Sequence, residues 1–388
     1  MGSTQSDTTT TGGLRPALYV AIELSKKGWL IALRGPTADR ISLRRLVAGD
    51  AAGLLVLIER FRKLAAEAIG AGVAVLTCQE AGYDGFWLHR VLTAAAITNH
   101  VVDPASLHVD RRARRAKTDR IDAQALLRAL MAYHRGEGRV WSVVHVPTPE
   151  EEDARRPHRE RENLIKERGR HVNRIKGLCA QQGILHYEPM RADRHERLAE
   201  LRTGDGRPFP ARLLAEIRRE LARLELLLGQ IAELEVAREA ALRAEQPDVT
   251  EAERVKRILT LRRLLAVGPE SSTVLGHEVF FRRFENRRQI AAYVGLAPSP
   301  HMSGGLSREQ GIAKSGNPRA RTVLVELAWL WLRYQPRSAL SEWFMRRVGE
   351  QRGRLRRIMV VALARKLLVA LWRYLEIGLI PQGAILRA

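Results

Sequence analysis

The sequence predicts a mixed α/β domain followed by a predominantly α-helical second half. Residues 18–102 hold short runs of alternating apolar and polar side chains, separated by stretches with apolar residues at helical spacing. Residues 210–243 carry a heptad seam of leucine and isoleucine. Beyond residue 250 helical spacing dominates, broken by one glycine-punctuated loop. A chain of 388 residues has room for two or three domains, each with its own core.

Composition narrows the partner. The chain has 65 Lys+Arg against 43 Asp+Glu, a formal charge of +22. That excess points to a polyanion, above all nucleic acid. A basic membrane-surface protein is the competing class, and it needs a basic amphipathic helix near a terminus. Residues 1–16 are polar and unpatterned, which reads as a disordered tail without the apolar core of a signal peptide. The most apolar stretch, 358–375, is interrupted by Arg365, Lys366 and Arg373, so no membrane span is expected. Cys78 and Cys179 have no metal-site spacing, suit a reducing cytoplasm and are expected in cores.

Residues 17–135 are expected to form the first domain. Segments 18–24 and 29–34 alternate, and Ser25-Lys26-Lys27-Gly28 between them is turn chemistry, so they form a β-hairpin. A third strand is expected at 41–47, a helix at 51–69 and a buried strand from 73 ending at Glu80. A helix at 86–95, a strand at 100–102 and a helix at 119–133 complete a mixed sheet with helices on its faces.

Four acids stand out in this domain. Glu23 lies inside the first strand, and a strand carboxylate is costly unless something compensates it. Glu80 ends the fourth strand, and Asp119 and Asp122 share one face at a helix start. Taken singly, Asp119 reads as a cap, Asp122 as a first-turn dipole residue and Glu80 as a solvated strand end. Together they read as an oxygen-rich site for Mg²⁺ or Mn²⁺, the set that supports phosphodiester cleavage. Just before them, Arg111, Arg112, Arg114, Arg115 and Lys117 form a candidate phosphate-gripping loop, with a solvated loop as the alternative.

Residues 136–157 contain turn residues, prolines and an acidic patch, and read as a linker. The middle region, 158–250, opens with a basic helix extending to residue 182. Arg168, Arg170, Arg174 and Lys176 are its candidate nucleic-acid contacts, with a solvated helix as the alternative. In 210–243, Leu214, Ile217, Leu221, Leu224, Leu228 and Ile231 form the seam of a short coiled coil, which packs on its own domain or pairs two chains.

Residues 251–388 form the mostly helical C-terminal domain. Helices are expected at 255–265 and 271–279, joined by a glycine turn that could offer backbone N–H groups to a phosphate. The loop 301–321 follows, then helices at 319–334 and 353–375. The loop holds Ser303-Gly304-Gly305, Lys314, Ser315-Gly316-Asn317 and Arg321. Its glycines allow close backbone approach, and Ser303 with the cations Lys314 and Arg321 is a candidate phosphate-reactive group. A plain turn is the competing reading.

The quoted residues carry a family resemblance. They are the strand IELSKKGW, the strand ending at Glu80, and KTDRIDA over 117–123. Downstream follow Arg283-Phe284, AYVGLAP over 292–298, Ser303-Gly304-Gly305, KSGN over 314–317, and Arg321. In this order, over nearly all of 17–335, the chain resembles bacterial insertion-sequence transposases of the one-ten group, the RNA-guided DNA recombinases. The resemblance implies an RNase H-like (Holliday-junction-resolvase-like) first domain with the four acids Glu23, Glu80, Asp119 and Asp122. It implies a second domain whose nucleophile is Ser303. It further implies Mg²⁺ or Mn²⁺, DNA as substrate, a guide RNA, and a homo-oligomer assembled through a coiled coil. The family usually has aspartate where this chain has Glu23, one methylene longer. Two other functions stay open on the residues alone: a metal-dependent junction nuclease without serine chemistry, and a non-catalytic nucleic-acid-binding protein.

Overall fold

The structure is a computed structural model that describes residues 15–107, 118–138, 140–246, 248–303, 306–313 and 315–387. The chain divides into two compact units, Met1–Thr148 and Pro149–Ala388.

The first unit is built on a five-stranded sheet. Strands β1 (Ala17–Glu23), β2 (Trp29–Arg34) and β3 (Ser42–Leu46) form an antiparallel meander. Helix α1 (Ala51–Ile69) leads to β4 (Ala74–Glu80), α2 (Trp87–Ala94) to β5 (Thr98–Val102), and α3 (Asp119–His134) follows. The sheet order is β3-β2-β1-β4-β5, with β1, β4 and β5 parallel. This mixed α/β arrangement is consistent with the RNase H-like fold that the resemblance implies. Asp50 starts α1 by accepting the Gly53 N–H at 2.8 Å, which satisfies one orphan donor of the first turn.

Alternation along β1 sorts its side chains between two layers. Leu18, Val20 and Ile22 bury against Leu54 and Ile58 of α1 and Leu88 and Leu92 of α2. Ala21, with Tyr19 partly buried, meets Ala123, Leu126, Leu127 and Leu130 of α3. In β4, Leu76 and Cys78 join that second face. Cys78 is fully buried, as expected of a core cysteine.

The second unit begins inside the expected linker. The acidic patch there forms a short helix, α4 (Pro149–Asp153), with three glutamates in its first turn. Carboxylates at a helix start complement the macrodipole, which is why a stretch rich in Pro and Glu is ordered here. Helix α5 (Arg156–Ala180) carries the basic run, α6 (Arg194–Glu200) is short, and α7 (Ala211–Arg243) is the longest helix described.

Helices α5 and α7 run antiparallel, since Arg161 pairs with Glu235 at one end and Arg174 with Glu220 at the other. The seam of α7 packs on α5 of its own chain: Ile217, Leu221 and Leu224 bury with Ile175 and Cys179, and Ile231 with Leu164. Leu214 and Leu228 pack against the same cluster. The seam therefore packs on its own chain, the first of the two alternatives the sequence left open. A heptad pattern specifies an apolar stripe, not the helix that covers it.

The remaining helices are α8 (Val249–Arg262), α9 (Pro269–Glu278) and α10 (Arg287–Val294). Then come β6 (Pro298–Ser303), β7 (Leu306–Ile312), α11 (Pro318–Tyr334), α12 (Ala339–Val348) and α13 (Arg354–Ile377). Their core centres on Trp331, Phe280, Phe344 and the leucines of α13. No described helix is long and apolar enough to cross a membrane.

Leu221→Ala is expected to lower the unfolding free energy by about 2–5 kcal/mol, the usual cost of an emptied leucine site. Because the seam is filled within one chain, denaturant titrations at tenfold different protein concentrations should report the same loss.

Candidate functional site

Two strand ends and one helix start define the acidic part of the site. Glu23 ends β1 and Glu80 ends β4, and these strands are parallel neighbours in register up to Ile22 opposite Gln79. Neighbouring strands lie about 4.8 Å apart, so the two carboxylates leave the sheet side by side. By the two-residue period both belong to the face that holds Ala21 and Cys78, the face covered by α3. Thr118 caps α3 by accepting the Ile121 N–H at 3.3 Å, and Asp119 and Asp122 occupy the first turn. Ala123, one position on, is fully buried against the same sheet face. Burial raises the Cys78 thiol well above its ordinary value, and the negative charge of Glu80 raises it further.

The donors fit a hard divalent cation in kind, since all four are carboxylates. Among the described residues, no three acids, histidines or cysteines yet stand close enough to hold one ion. The fold places the four acids at one end of one sheet face without drawing their side chains into a closed cage.

Ser303 was expected in a loop. Instead it is the last residue of β6 in an antiparallel hairpin with β7, its backbone opposite Leu306. Two prolines stand in β6; proline is tolerated here because a two-stranded ribbon leaves one side of each strand unpaired. Gly304, Gly305 and Lys314 lie outside the described residues, as do Arg111, Arg112, Arg114, Arg115 and Lys117.

The base of the hairpin is gripped by the motif residues around it. Gly295 ends α10 with φ +73°, and a Cβ there would collide with the Ser315 carbonyl. Gly316, φ +90°, lies against the Tyr293 carbonyl in the same way. Only glycine permits both the left-handed backbone and this closeness. Asn317 N–H donates to the Tyr293 carbonyl at 2.9 Å, and Arg321 donates to the carbonyls of Val294 at 3.2 Å and Ser315 at 3.5 Å. Arg321, expected to stabilise phosphate charge, here ties two backbone segments together.

Asn317 also reaches a buried carboxylate. Its Oδ1 accepts the Arg319 and Ala320 N–H groups and so caps α11, while its Nδ2 donates to Glu278 at 2.7 Å. Glu278, 1% exposed at the end of α9, accepts from Arg159 Nε at 2.7 Å and Nη2 at 3.0 Å, and from His158 Nε2 at 2.9 Å. Burial pushes this carboxyl up, but the bonds from His158 and Arg159, the Arg159 charge and the Asn317 amide outweigh it. The carboxyl is held well below the usual carboxylate range. Beside it, His277 stacks on His158 at 5.7 Å, and burial together with the His158, Arg254 and Arg155 charges pushes its pKa down to about 3.

Sequence reasoning missed Glu278, His158 and Arg159. One signal was available: Glu278 stands immediately before Val279-Phe280-Phe281, where an unpartnered acid would be costly.

The basic helix α5 is less open than its composition implied. Arg161 spans Glu235 at 2.6 Å and Glu270 at 2.9 Å. Arg170 pairs with Glu167 at 3.7 Å, Arg174 with Glu220 at 3.2 Å, and Lys176 with Glu188 at 2.7 Å. Arg168 has no ion pair among the described residues. The glycine turn before α9 is not an open phosphate cradle either: Ser271 Oγ accepts the Gly268 N–H at 3.0 Å, and Glu270 occupies the first turn.

Glu278→Ala would leave Arg159 and His158 facing a void, so a stability loss of about 3–5 kcal/mol is expected in urea unfolding. Acid should act in the same direction. An unfolded His277 takes up its proton near 6.5 but the folded one only near 3, so stability falls as pH drops across that window. Glu278, depressed in the folded state, adds its own loss only below its ordinary value of 4.5. His277→Gln should therefore flatten the stability profile between pH 6.5 and 4.5, by up to about 1.4 kcal/mol per pH unit.

Comparison with known proteins bears on both units. Residues 240–341 match the family described as Transposase IS116/IS110/IS902, and residues 32–182 match the DEDD transposase domain of IS110. The second match contains Glu80, Asp119 and Asp122 but begins after Glu23. The chain is 50% identical over 376 residues to y4rJ of Sinorhizobium fredii, a transposase by name, covering 96% of this chain and 95% of that protein. It is 26% identical over 311 residues to the transposase for insertion sequence element IS1111A of Coxiella burnetii, covering 78% of each. It is also 26% identical over 264 residues to the transposase for IS1328 of Yersinia enterocolitica, covering 66% of this chain and 71% of that one. With near-complete coverage at that identity, and with both units matched in order, the chain belongs to the IS116/IS110/IS902 family of transposases.

Proposed function

We propose that this chain cuts and rejoins DNA strands through a covalent phosphoserine at Ser303. The serine oxygen attacks a backbone phosphorus, the O–P bond forms, and the P–O bond to the departing strand breaks. The serine proton ends on the departing hydroxyl. One phosphodiester replaces another, so the reverse step joins a new strand without ATP. A serine hydroxyl is a weak nucleophile until activated. Glu23, Glu80, Asp119 and Asp122 would hold Mg²⁺ or Mn²⁺, which supplies charge compensation for the developing oxyanion. In the DNA-bound assembly these acids and Ser303 act on one phosphodiester, contributed by the same or another copy of the chain in a homo-oligomer. Lys314 neutralises phosphate charge, and Arg111, Arg112, Arg114, Arg115, Lys117, Arg168, Arg170, Arg174 and Lys176 contact the nucleic-acid backbone. A structured non-coding RNA selects the DNA sites by base pairing, as the resemblance implies.

One observation carries the reading. Four carboxylates spread over a hundred residues fall at one end of one sheet face, at two adjacent parallel strand ends and the helix start packed against them. The hairpin supports the second half of it: Ser303 closes a strand whose base is locked by Gly295, Gly316 and Asn317.

Ser303→Ala should abolish the covalent protein–DNA adduct, read on a denaturing gel after incubation with element-end DNA, while DNA binding persists. Glu80→Gln, Asp119→Asn or EDTA should stop cleavage. A Ser303→Ala protein that still cuts with water would replace the recombinase by a metal-dependent nuclease. Strand exchange undiminished by EDTA would remove the carboxylates from the mechanism.

A further inference from the structure

The most concentrated positive charge among the described residues plays no part in the reading above. Between the end of α12 and the start of α13, residues 346–357 hold Arg346, Arg347, Arg352, Arg354, Arg356 and Arg357 against one acid, Glu350. All six arginines are exposed. Among the described residues none of them has a carboxylate partner, in contrast to Arg170, Arg174 and Lys176 of α5. Three of the six begin α13, whose first turn carries no acid. Cations there oppose the positive end of the helix dipole, an arrangement that an anion would offset.

Apolar surface adjoins this charge. The Arg356 guanidinium lies 5.3 Å from the ring centre of Trp329 on α11, so the start of α13 and the outer face of α11 are one continuous surface. Trp329 is 39% exposed, and Tyr334, five residues further along α11, is 43% exposed. Leu355 and Ile358 flank Arg356 and are exposed as well. Contacts to a duplex backbone call for cations alone. Half-exposed rings and aliphatics set among arginines suit bases whose faces are free, because stacking on them needs no sequence.

We infer that this surface, formed by the α12–α13 turn, the first turn of α13 and the outer face of α11, holds an unpaired DNA strand. The inference rests on the chain acting on DNA, and it adds that the chain grips a strand separated from its complement. The arginines track the phosphates, and Trp329 with its Arg356 lid stacks a base.

The test uses the full chain and fluorescence anisotropy with three labelled probes of one sequence, about 20 nucleotides long: single-stranded DNA, the duplex, and RNA. With Arg352, Arg354, Arg356 and Arg357 all changed to Gln, the slope of log affinity against log salt on single-stranded DNA should shrink by about 3, at ~0.7 per lost phosphate contact. Trp329→Ala should weaken single-stranded DNA roughly tenfold and leave the duplex unaffected, with circular dichroism confirming the fold. An unchanged salt slope in the fourfold variant overturns the inference, and that variant alters only exposed side chains. Equal weakening of duplex and single strand by Trp329→Ala overturns the assignment to unpaired bases, and a preference for RNA over DNA overturns the choice of strand. Ser303→Ala should bind all three probes like the unaltered chain, so loss of adduct chemistry is read separately from loss of this surface.

Discussion

A carboxylate taken out of water has to be compensated, and Glu278 is compensated by donors from two separate parts of the second unit. Arg159 and His158 come from α5, Asn317 from the start of α11, and Glu278 itself ends α9. Removing any donor would leave charge or a polar atom stranded in low dielectric, so the three elements are held to one geometry. The base of the β6–β7 hairpin is fixed by the same asparagine, which also caps α11 and binds the Tyr293 carbonyl. The strand that ends at Ser303 therefore springs from a region fixed by these bonds.

In the first unit the organising constraint is the parallel register of β1 and β4. It sets Glu23 beside Glu80, and the buried small residues Ala21 and Cys78 behind them let α3 come down close to the sheet. The capping threonine then decides where α3 starts, and with it where Asp119 and Asp122 stand. Glu23 adds a methylene to the reach of its carboxylate relative to the aspartate usual in the family. The substitution keeps the charge at the end of β1.

The large positive charge is not spread evenly in its uses. Arginine–glutamate pairs knit α5 to α7, and Arg238 and Arg262 continue the network to Glu270 and Glu239. Such bases are structural first, and exposed pairs of this kind contribute little to stability individually. The arginines around the start of α13 have no carboxylate partner among the described residues, whereas Arg174 and Lys176 of α5 each have one.

Strand and helix periodicity could be read from the chain, because local geometry repeats every two or 3.6 residues whatever lies opposite. The reading of Asp119 as a cap falls one residue late, since Thr118 accepts the Ile121 N–H and Asp119 is the first helical residue. Family membership was legible for a similar reason: Gly295, Gly316 and Asn317 satisfy steric and capping demands that few other residues meet. What covers each face was not legible. The leucine seam of α7 showed an apolar stripe, and only packing revealed that α5 of the same chain fills it. The glycines of 301–321 argued for a loop until pairing of β6 with β7 showed a ribbon. Glu278 drew no reading from the sequence, and its burial depended on donors more than a hundred residues upstream. Periodicity is a property of neighbours in the chain, whereas burial and pairing depend on which distant segments arrive, and only the tertiary structure decides that.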